Sequence, residues 1–367
     1  PKTPKPLSVS LKFKNVIQTT FDKLDSIQSL KTHYSEVTAK THLKQLLQDE
    51  ERNSQLRFKL FDDAILDLTH TKIDEKGISL LKSVADEINV SQKIRSMFDG
   101  EVINKTEKRQ VWHVKLRDLK GEDETSRQVH EVQHRIKHFS DKIRKHETRG
   151  FTDKAFKIVA IGIGGSYLGP EFVYEALRGS SAGRQAASGI KLKFLANVDP
   201  IDFERAIDGL DIETTLFIIV SKTFTTAETM LKLDKHANLY VSNSEAQDEG
   251  DVVASHLCAV STNLTATKDF GIKDENVFGF WDWVGGRFSV SSAVGVLPLS
   301  LQFGYDLVEE FLSGLNSVDT HFNKESTGQN VPVMLGLIGF YNTYICGHES
   351  RALLPYCQAL LRLPAHI

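Results

Sequence analysis

A run of hydroxyl-bearing residues around a lysine is the clearest chemical signal in the sequence. It reads SKTFTT from Ser221 to Thr226, and Glu228 follows two residues later. Hydroxyl and ammonium groups can donate hydrogen bonds to a phosphate monoester, and the positive end of a helix dipole favours its charge. A threonine that only caps a helix would need one of these hydroxyls. We therefore predict that this hydroxyl-rich loop, Ser221–Thr226, binds phosphate.

A glycine-rich turn, Gly162–Pro170, is the second candidate and reads GIGGSYLGP. Glycines let a ligand approach the backbone closely, and a helix that starts here offers free N–H groups to an anion. The dinucleotide fingerprint fails, because Tyr167 stands at its third glycine position, and no Gly-Lys-Ser/Thr follows to make a P-loop. A tight turn without a ligand remains the alternative for this segment taken alone.

The third candidate is Arg287, within the sequence WDWVGGRFS from Trp281 to Ser289. An arginine that follows two glycines at the start of a helix can reach into a cleft and stabilise a developing oxyanion. The structural alternative is an ion pair with Asp282. We expect the two tryptophans to pack in the protein interior rather than to stack on a sugar.

Alternating strands and helices after Gly150 would position these candidates. The predicted strands cover residues 156–163, 192–198, 216–220, 257–261 and 277–280. The predicted helices after them cover residues 170–177, 201–207, 226–240, 265–270 and 289–303. Five such units predict an α/β fold with a doubly wound parallel sheet. In the strand order 2-1-3-4-5, the first and third strands flank the switch point, where ligands bind. The glycine-rich turn and the hydroxyl-rich loop would then face one crevice.

The rest of the chain divides around this sheet. We predict a mainly helical N-terminal region over residues 1–125, the sheet domain over 126–305, and the beginning of a second, similar domain over 306–367. One hairpin is expected near residues 58–68, and a charged helix over 122–149. Its inner stripe comprises Val129, Val132, Ile136, Phe139 and Ile143.

Composition excludes several classes of protein. The 367 residues include 45 Lys+Arg and 48 Asp+Glu, so the net charge of −3 argues against a dedicated nucleic-acid binder. Three cysteines without a CxxC pair argue against a disulfide framework and favour a reducing compartment. His130 and His134 lack the HExxH pattern of a zinc site, so we expect no metal. The apolar stretch Val331–Cys346 is shorter than the roughly 20 residues that span a bilayer, so we expect a buried core helix.

Four motifs in order together resemble the glucose-6-phosphate isomerase (phosphoglucose isomerase) family. They are MFDGE-x-IN from Met97 to Asn104, GIGGS-x-LGP, SKTFTT-x-E and FWDWVGGR-[FY]-S. The likeness extends from about residue 50 to Ile367 and includes RALLPY from Arg351 to Tyr356 and the ending PAHI. It implies two sugar-isomerase (SIS) domains with flavodoxin-like sheets. It also implies a cytoplasmic homodimer with shared active sites and no cofactor, which interconverts glucose 6-phosphate and fructose 6-phosphate in glycolysis and gluconeogenesis.

The resemblance also implies residue roles. The substrate phosphate would be held by Ser221, Lys222, Thr223 and Thr226. Gly165 and Ser166 would line the sugar site, and Arg287 would stabilise the cis-enediolate. Glu228 would hydrogen-bond a ring-opening histidine of the partner subunit. Tyr167 departs from family members that carry Asp there, which affects only local packing.

The base that moves the proton between C2 and C1 has no match among these residues. In the family it is the glutamate of a later S-x-E-S-N-G-K motif, so we expect the polypeptide to continue past Ile367. A non-catalytic SIS-type sugar-phosphate sensor is the main alternative, although a sensor needs no oxyanion stabiliser such as Arg287. An NAD-linked dehydrogenase is disfavoured, because it would need an acidic residue about 20 positions beyond the turn, and the sequence has none there.

Overall fold

The computed structural model describes residues 22–62, 64–147, 156–187, 189–211, 214–224 and 255–367. The strands are β1 (Arg57–Lys59), β2 (Ile65–Asp67), β3 (Lys157–Ile161), β4 (Leu192–Leu195), β5 (Thr215–Val220), β6 (Leu257–Ser261) and β7 (Val277–Gly279). The helices are α1 (Asp25–Glu36), α2 (Leu43–Leu46), α3 (Glu50–Gln55), α4 (Glu75–Glu87), α5 (Val90–Phe98), α6 (Glu124–Arg144), α7 (Gly165–Arg178), α8 (Ser181–Ala187), α9 (Pro200–Ile207), α10 (Leu264–Asp269), α11 (Ala293–Phe303), α12 (Tyr305–Lys324), α13 (Val331–Phe340) and α14 (Leu363–His366).

The chain folds into two compact units. One contains the described part of Pro1–Asp99 together with Val318–Ala352, and the other contains Gly100–Ser317 together with Leu353–Ile367. The first unit has an apolar core in which Leu30, Leu81 and Met334 are fully buried. Strands β1 and β2 pair antiparallel, with Phe58 opposite Leu66, which confirms the predicted hairpin.

The second unit holds a parallel sheet in the order β4-β3-β5-β6-β7. Counted along the chain, this is the predicted order 2-1-3-4-5, and the flavodoxin-like fold class is confirmed. Every residue of β5 and β6 is buried. These strands are therefore nearly apolar throughout, as parallel strands covered on both faces must be.

Helices cover both faces of this sheet. One face packs against α6, α7 and α11, and the other packs against α9 and α10. The stripe expected on the charged helix is its inner face, with Val129, Ile136 and Ile143 buried and Val132 and Phe139 partly buried. The helix expected over residues 226–240 lies outside the described residues.

Two helices begin at least four residues away from the predicted start. The first begins at Gly165 rather than at Pro170, because Gly164 supplies a left-handed turn (φ 58°, ψ −121°) before it. The second is a 3₁₀ turn, Arg287–Ser291, followed by α11, whose start is capped by the Ser292 hydroxyl. Among the described helices, none combines the length and the apolar character that a membrane span requires.

Candidate active site

Three segments meet beyond the carboxyl ends of β3 and β5 and enclose a cavity of about 230 Å³. The glycine-rich turn contributes Gly165 and Ser166, the hydroxyl-rich loop contributes Ser221 and Lys222, and the third wall comes from the segment after β7. Ligands of doubly wound sheets bind at this position, where the strand order reverses. The predicted crevice between the first two segments is therefore present.

The glycine-rich turn is fixed by its own backbone. The N–H groups of Tyr167 and Leu168 donate to the Gly164 carbonyl at 3.0 and 2.9 Å. A Cβ atom on Gly165 would lie 2.5 Å from the carbonyl of Gly286, so no side chain fits there. This glycine therefore serves a backbone-to-backbone contact between two walls of the cavity.

The third wall, Trp281–Ser289, crosses the sheet edge to reach that contact. Strand β7 lies at one end of the sheet, and β6 and β5 separate it from β3. The segment must therefore pass over the ends of both strands, and we call it the crossing segment. The Ser289 hydroxyl closes the junction, since its oxygen lies 2.7 Å from the Gly286 carbonyl oxygen and 3.3 Å from that of Gly165.

Hydrogen bonds from the residues that follow β6 fix the backbone of the hydroxyl-rich loop at Lys222 and Thr223. The Lys222 carbonyl accepts hydrogen bonds from the Thr262 N–H at 3.0 Å and from its hydroxyl at 2.6 Å. The Thr223 carbonyl accepts from the Asn263 side chain at 3.1 Å. Ser221 is buried, whereas Thr223 is exposed. The backbone is thus fixed, while the Thr223 side chain faces solvent.

The Lys222 side chain is directed at the crossing segment. Its ammonium group donates to the Asp282 carbonyl at 2.8 Å and to the Val284 carbonyl at 3.0 Å. Burial lowers the pKa of Lys222, and the positive charge of Arg109 lowers it further. Two of the three N–H groups of the ammonium are therefore bound to backbone, which leaves one for a ligand.

Arg287 is exposed beside the cavity. Within the part of the chain that the structure describes, no hydrogen bond or ion pair holds its guanidinium, so the alternative pairing with Asp282 is not formed there. The pKa of His366 is lowered, mainly by burial and also by the charge of Arg287. Arg287 is thus a cation without a described protein counter-ion.

Two residues that contact the crossing segment were not predicted from the sequence. Arg109 donates to the Asp282 carbonyl at 3.2 Å. The His113 ring stacks on Phe288, with ring centroids 4.4 Å apart. Burial is the main cause that lowers the pKa of His113 to about 4, and the positive charge of Arg117 is the second. The signal nearest to them was the motif Met97–Asn104, which ends shortly before both.

Two residues named from the resemblance, Thr226 and Glu228, lie outside the described residues. Among those that are described, no group of three His, Cys, Asp or Glu side chains is placed to hold a metal ion.

The fold and the site define a doubly wound α/β protein with a polar pocket at the switch point of its sheet. The chain belongs to the phosphoglucose isomerase family, whose sequence model matches residues 67–367. The resemblance inferred from the four motifs is therefore confirmed.

Relatives and solved structures agree with this assignment. The chain is 47% identical to the cytosolic glucose-6-phosphate isomerase of Spinacia oleracea, an alignment covering 94% of this chain and 61% of the relative. It is 45% identical to the cytosolic enzyme of Arabidopsis thaliana, covering 93% and 61%. A glucose-6-phosphate isomerase crystal structure from Chlamydia trachomatis matches with a TM-score of 0.80 and 26% identity, covering 94% of this chain and 65% of that one. This chain thus spans about three-fifths of the length of its curated relatives.

Proposed function

We propose that this protein catalyses the reversible isomerisation of glucose 6-phosphate and fructose 6-phosphate through a cis-enediol intermediate. The observation that carries the proposal is the cavity at the switch point, where the hydroxyl-rich loop, the start of α7 and the crossing segment converge. Relatives along almost the whole chain bear the name of this enzyme. A phosphate group and a polar sugar both match the hydrogen-bond donors present.

The phosphate would bind at the hydroxyl-rich loop. Ser221 and Thr223 lie there, with Thr226 as a further donor implied by the resemblance. Gly165 and Ser166, the first residues of α7, line the same cavity, and the dipole of a 14-residue helix favours an anion at its N-terminus. Gly165 gives the sugar a wall without a side chain.

Isomerisation moves a proton between C2 and C1 while negative charge develops on the enediolate oxygen. An exposed guanidinium with no described counter-ion can stabilise that charge, and this is the role we give Arg287. None of the described residues that line the cavity carries a carboxylate. The base is therefore proposed to be the family's glutamate, outside the described residues. Glu228 is proposed to support ring opening through a histidine of a partner subunit.

The cellular setting is proposed from the same relatives. The two plant enzymes named above are cytosolic, so we propose that this protein acts in the cytosol, in glycolysis and gluconeogenesis. The proposed assembly is a homodimer that shares its active sites. No cofactor enters the proposed reaction, because proton transfer within one substrate needs no external redox partner.

The test is turnover by the purified full-length protein. Fructose 6-phosphate is supplied, and glucose 6-phosphate is detected through a coupled dehydrogenase. Arg287→Ala is purified in parallel and reports any isomerase carried over from the host. Turnover well above that control supports the proposal. Binding of fructose 6-phosphate without turnover would contradict it and would favour a sugar-phosphate sensor.

A further inference from the structure

The crossing segment reaches the catalytic cavity without pairing to a neighbouring strand. Strand β7 ends at Gly279, and the hydrogen bonds of the segment with its own backbone are local turns, such as the Val284 N–H to the Trp281 carbonyl at 3.1 Å. Such a segment has few internal constraints on its position. Whatever holds it in place also sets the position of Arg287.

Two cationic side chains converge on one peptide carbonyl of this segment. The Asp282 carbonyl accepts from the Lys222 ammonium at 2.8 Å and from the Arg109 guanidinium at 3.2 Å. Hydrogen bonds from a charged donor are stronger than those between neutral groups. The two donor side chains come from different parts of the chain, since Lys222 follows β5 and Arg109 precedes α6.

Arg109 itself stands on a tight turn, Asn104–Arg109. The backbone N–H and carbonyl groups of the two end residues pair at 3.1 and 3.2 Å. The Asn104 side chain accepts from the Thr106 hydroxyl at 2.8 Å and from the Glu107 N–H at 3.2 Å. The backbone of Arg109 is therefore fixed independently of the crossing segment. Its side chain can thus support that segment.

Arg109 does not line the catalytic cavity. It lines a separate cavity of about 180 Å³, and Val284 and Gly285 of the crossing segment form walls of both. Its effect on a substrate in the catalytic cavity would therefore pass through the segment rather than through contact.

We propose that Arg109 and Lys222 are positioning residues, which hold the crossing segment through the Asp282 carbonyl so that Arg287 faces the reacting carbons. This inference rests on the proposed isomerase function. It also gives the motif Met97–Asn104 a purpose, because that motif leads directly into the turn that carries Arg109. Lys222 thereby links the hydroxyl-rich loop to the segment that bears the oxyanion stabiliser.

The first test is the kinetics of Arg109→Met in the full-length protein. Misplacement of a catalytic group by a fraction of an ångström to 1 Å lowers turnover, so we expect kcat to fall by about tenfold to a hundredfold. KM for fructose 6-phosphate should change by less than about threefold. Arg109→Lys keeps a charged donor and should recover part of the loss. A rise in KM with kcat unchanged would overturn the proposal, since it would mean that Arg109 acts on substrate binding.

A matched control is Arg135→Met. Arg135 also donates to backbone carbonyls near β7, those of Asp274 and Val277 at 2.9 and 2.8 Å, but it does not support the crossing segment. Its kcat should stay within about twofold of the wild type, because those bonds lie at the opposite end of β7. An equal loss in both variants would overturn the proposal.

The second test does not depend on activity. Trp281 and Trp283 stack with ring centroids 5.2 Å apart at the start of the crossing segment, and Trp112 packs on Trp283 at 6.2 Å. We expect Arg109→Met, but not Arg135→Met, to change the near-ultraviolet circular dichroism of this cluster. If Arg109→Met does not fold, Arg109→Gln retains a neutral donor and is measured instead. An unchanged spectrum with full activity would overturn the inference, whereas an inactive wild type would overturn only the proposed function.

Discussion

The backbones of Gly165 and Gly286 touch, and a Cβ atom built on Gly165 would lie 2.5 Å from the Gly286 carbonyl. The same construction on Gly286 meets nothing within 4 Å. The contact is therefore asymmetric, because only one of the two glycines is required by its neighbour. It joins the turn after β3 to the crossing segment, and thereby two walls of the candidate site.

That asymmetry predicts opposite results for two alanine substitutions. Gly165→Ala forces two backbone segments apart and should cost about 1–3 kcal/mol of unfolding free energy, with loss of most activity. Gly286→Ala places its methyl group in open space and should change stability by less than about 0.5 kcal/mol. Urea denaturation of both variants makes the comparison. Similar losses in the two would contradict the close approach.

Removal of a hydroxyl from the proposed phosphate site should weaken substrate binding. Thr223→Ala and Thr226→Ala should each cost about 1–3 kcal/mol of binding free energy for fructose 6-phosphate, the range for hydrogen bonds to a charged group. The measurement is isothermal titration calorimetry. Thr265→Ala, which removes an exposed hydroxyl on α10, is the matched control and should bind normally. Unchanged affinity at Thr223 and Thr226 would remove them from the site.

Replacement of Arg287 should affect turnover more than binding. A group that stabilises the enediolate interacts most strongly in the transition state, so Arg287→Lys and Arg287→Ala should lower kcat far more than they raise KM. Steady-state kinetics with fructose 6-phosphate make the distinction. If binding is lost while turnover of bound substrate is intact, Arg287 is an anchor for the ground state.

Arg52 should be essential for the stability of the first unit. It is fully buried and donates to the carbonyls of Ile73, Thr69 and Thr71 at 2.6, 2.8 and 2.6 Å. Arg52→Met leaves these acceptors unsatisfied and should lower the unfolding free energy by about 3 kcal/mol or more. Arg57→Met removes only an exposed ion pair and should cost less than about 1 kcal/mol. Guanidinium unfolding curves test both, and equal costs would contradict the role of Arg52.

His113 predicts a pH dependence of stability. Its pKa in the folded protein is about 4, below its ordinary value of 6.5, because burial disfavours the charged ring. Between these values the unfolded chain binds a proton that the folded protein does not, so stability is lost as pH falls from 6.5 towards 4. His113→Phe keeps the stacking on Phe288 and removes the titration. Its unfolding free energy should fall less steeply over this window, and parallel slopes would argue against the shift.

The sequence predicted the sheet well because its strands are buried on both faces. Continuous apolar runs such as residues 216–220 can be recognised without knowledge of their neighbours. The convergence of the glycine-rich turn and the hydroxyl-rich loop followed from strand order alone. Both predictions depend on local pattern and on general rules of topology.

The bracing of the crossing segment could not be predicted in the same way. Nothing in the spacing of Lys222 and Asp282 indicates that an ammonium group reaches a backbone carbonyl 60 residues away. The neighbours of Lys222 in the loop predict only its phosphate-binding role, which stays a prediction. Its two backbone acceptors, the Asp282 and Val284 carbonyls, are generic groups that occur at every residue.

The path of the crossing segment also has a consequence for folding kinetics. Ser289 and Gly165 meet at a separation of 124 residues along the chain. Contacts between such distant residues close a long loop and form slowly, after local structure. The pocket cannot be complete until β7 has joined the sheet. A nascent or partly unfolded chain would therefore have most of its sheet before it could hold a substrate, and substrate binding would select only molecules in which the last strand is in place.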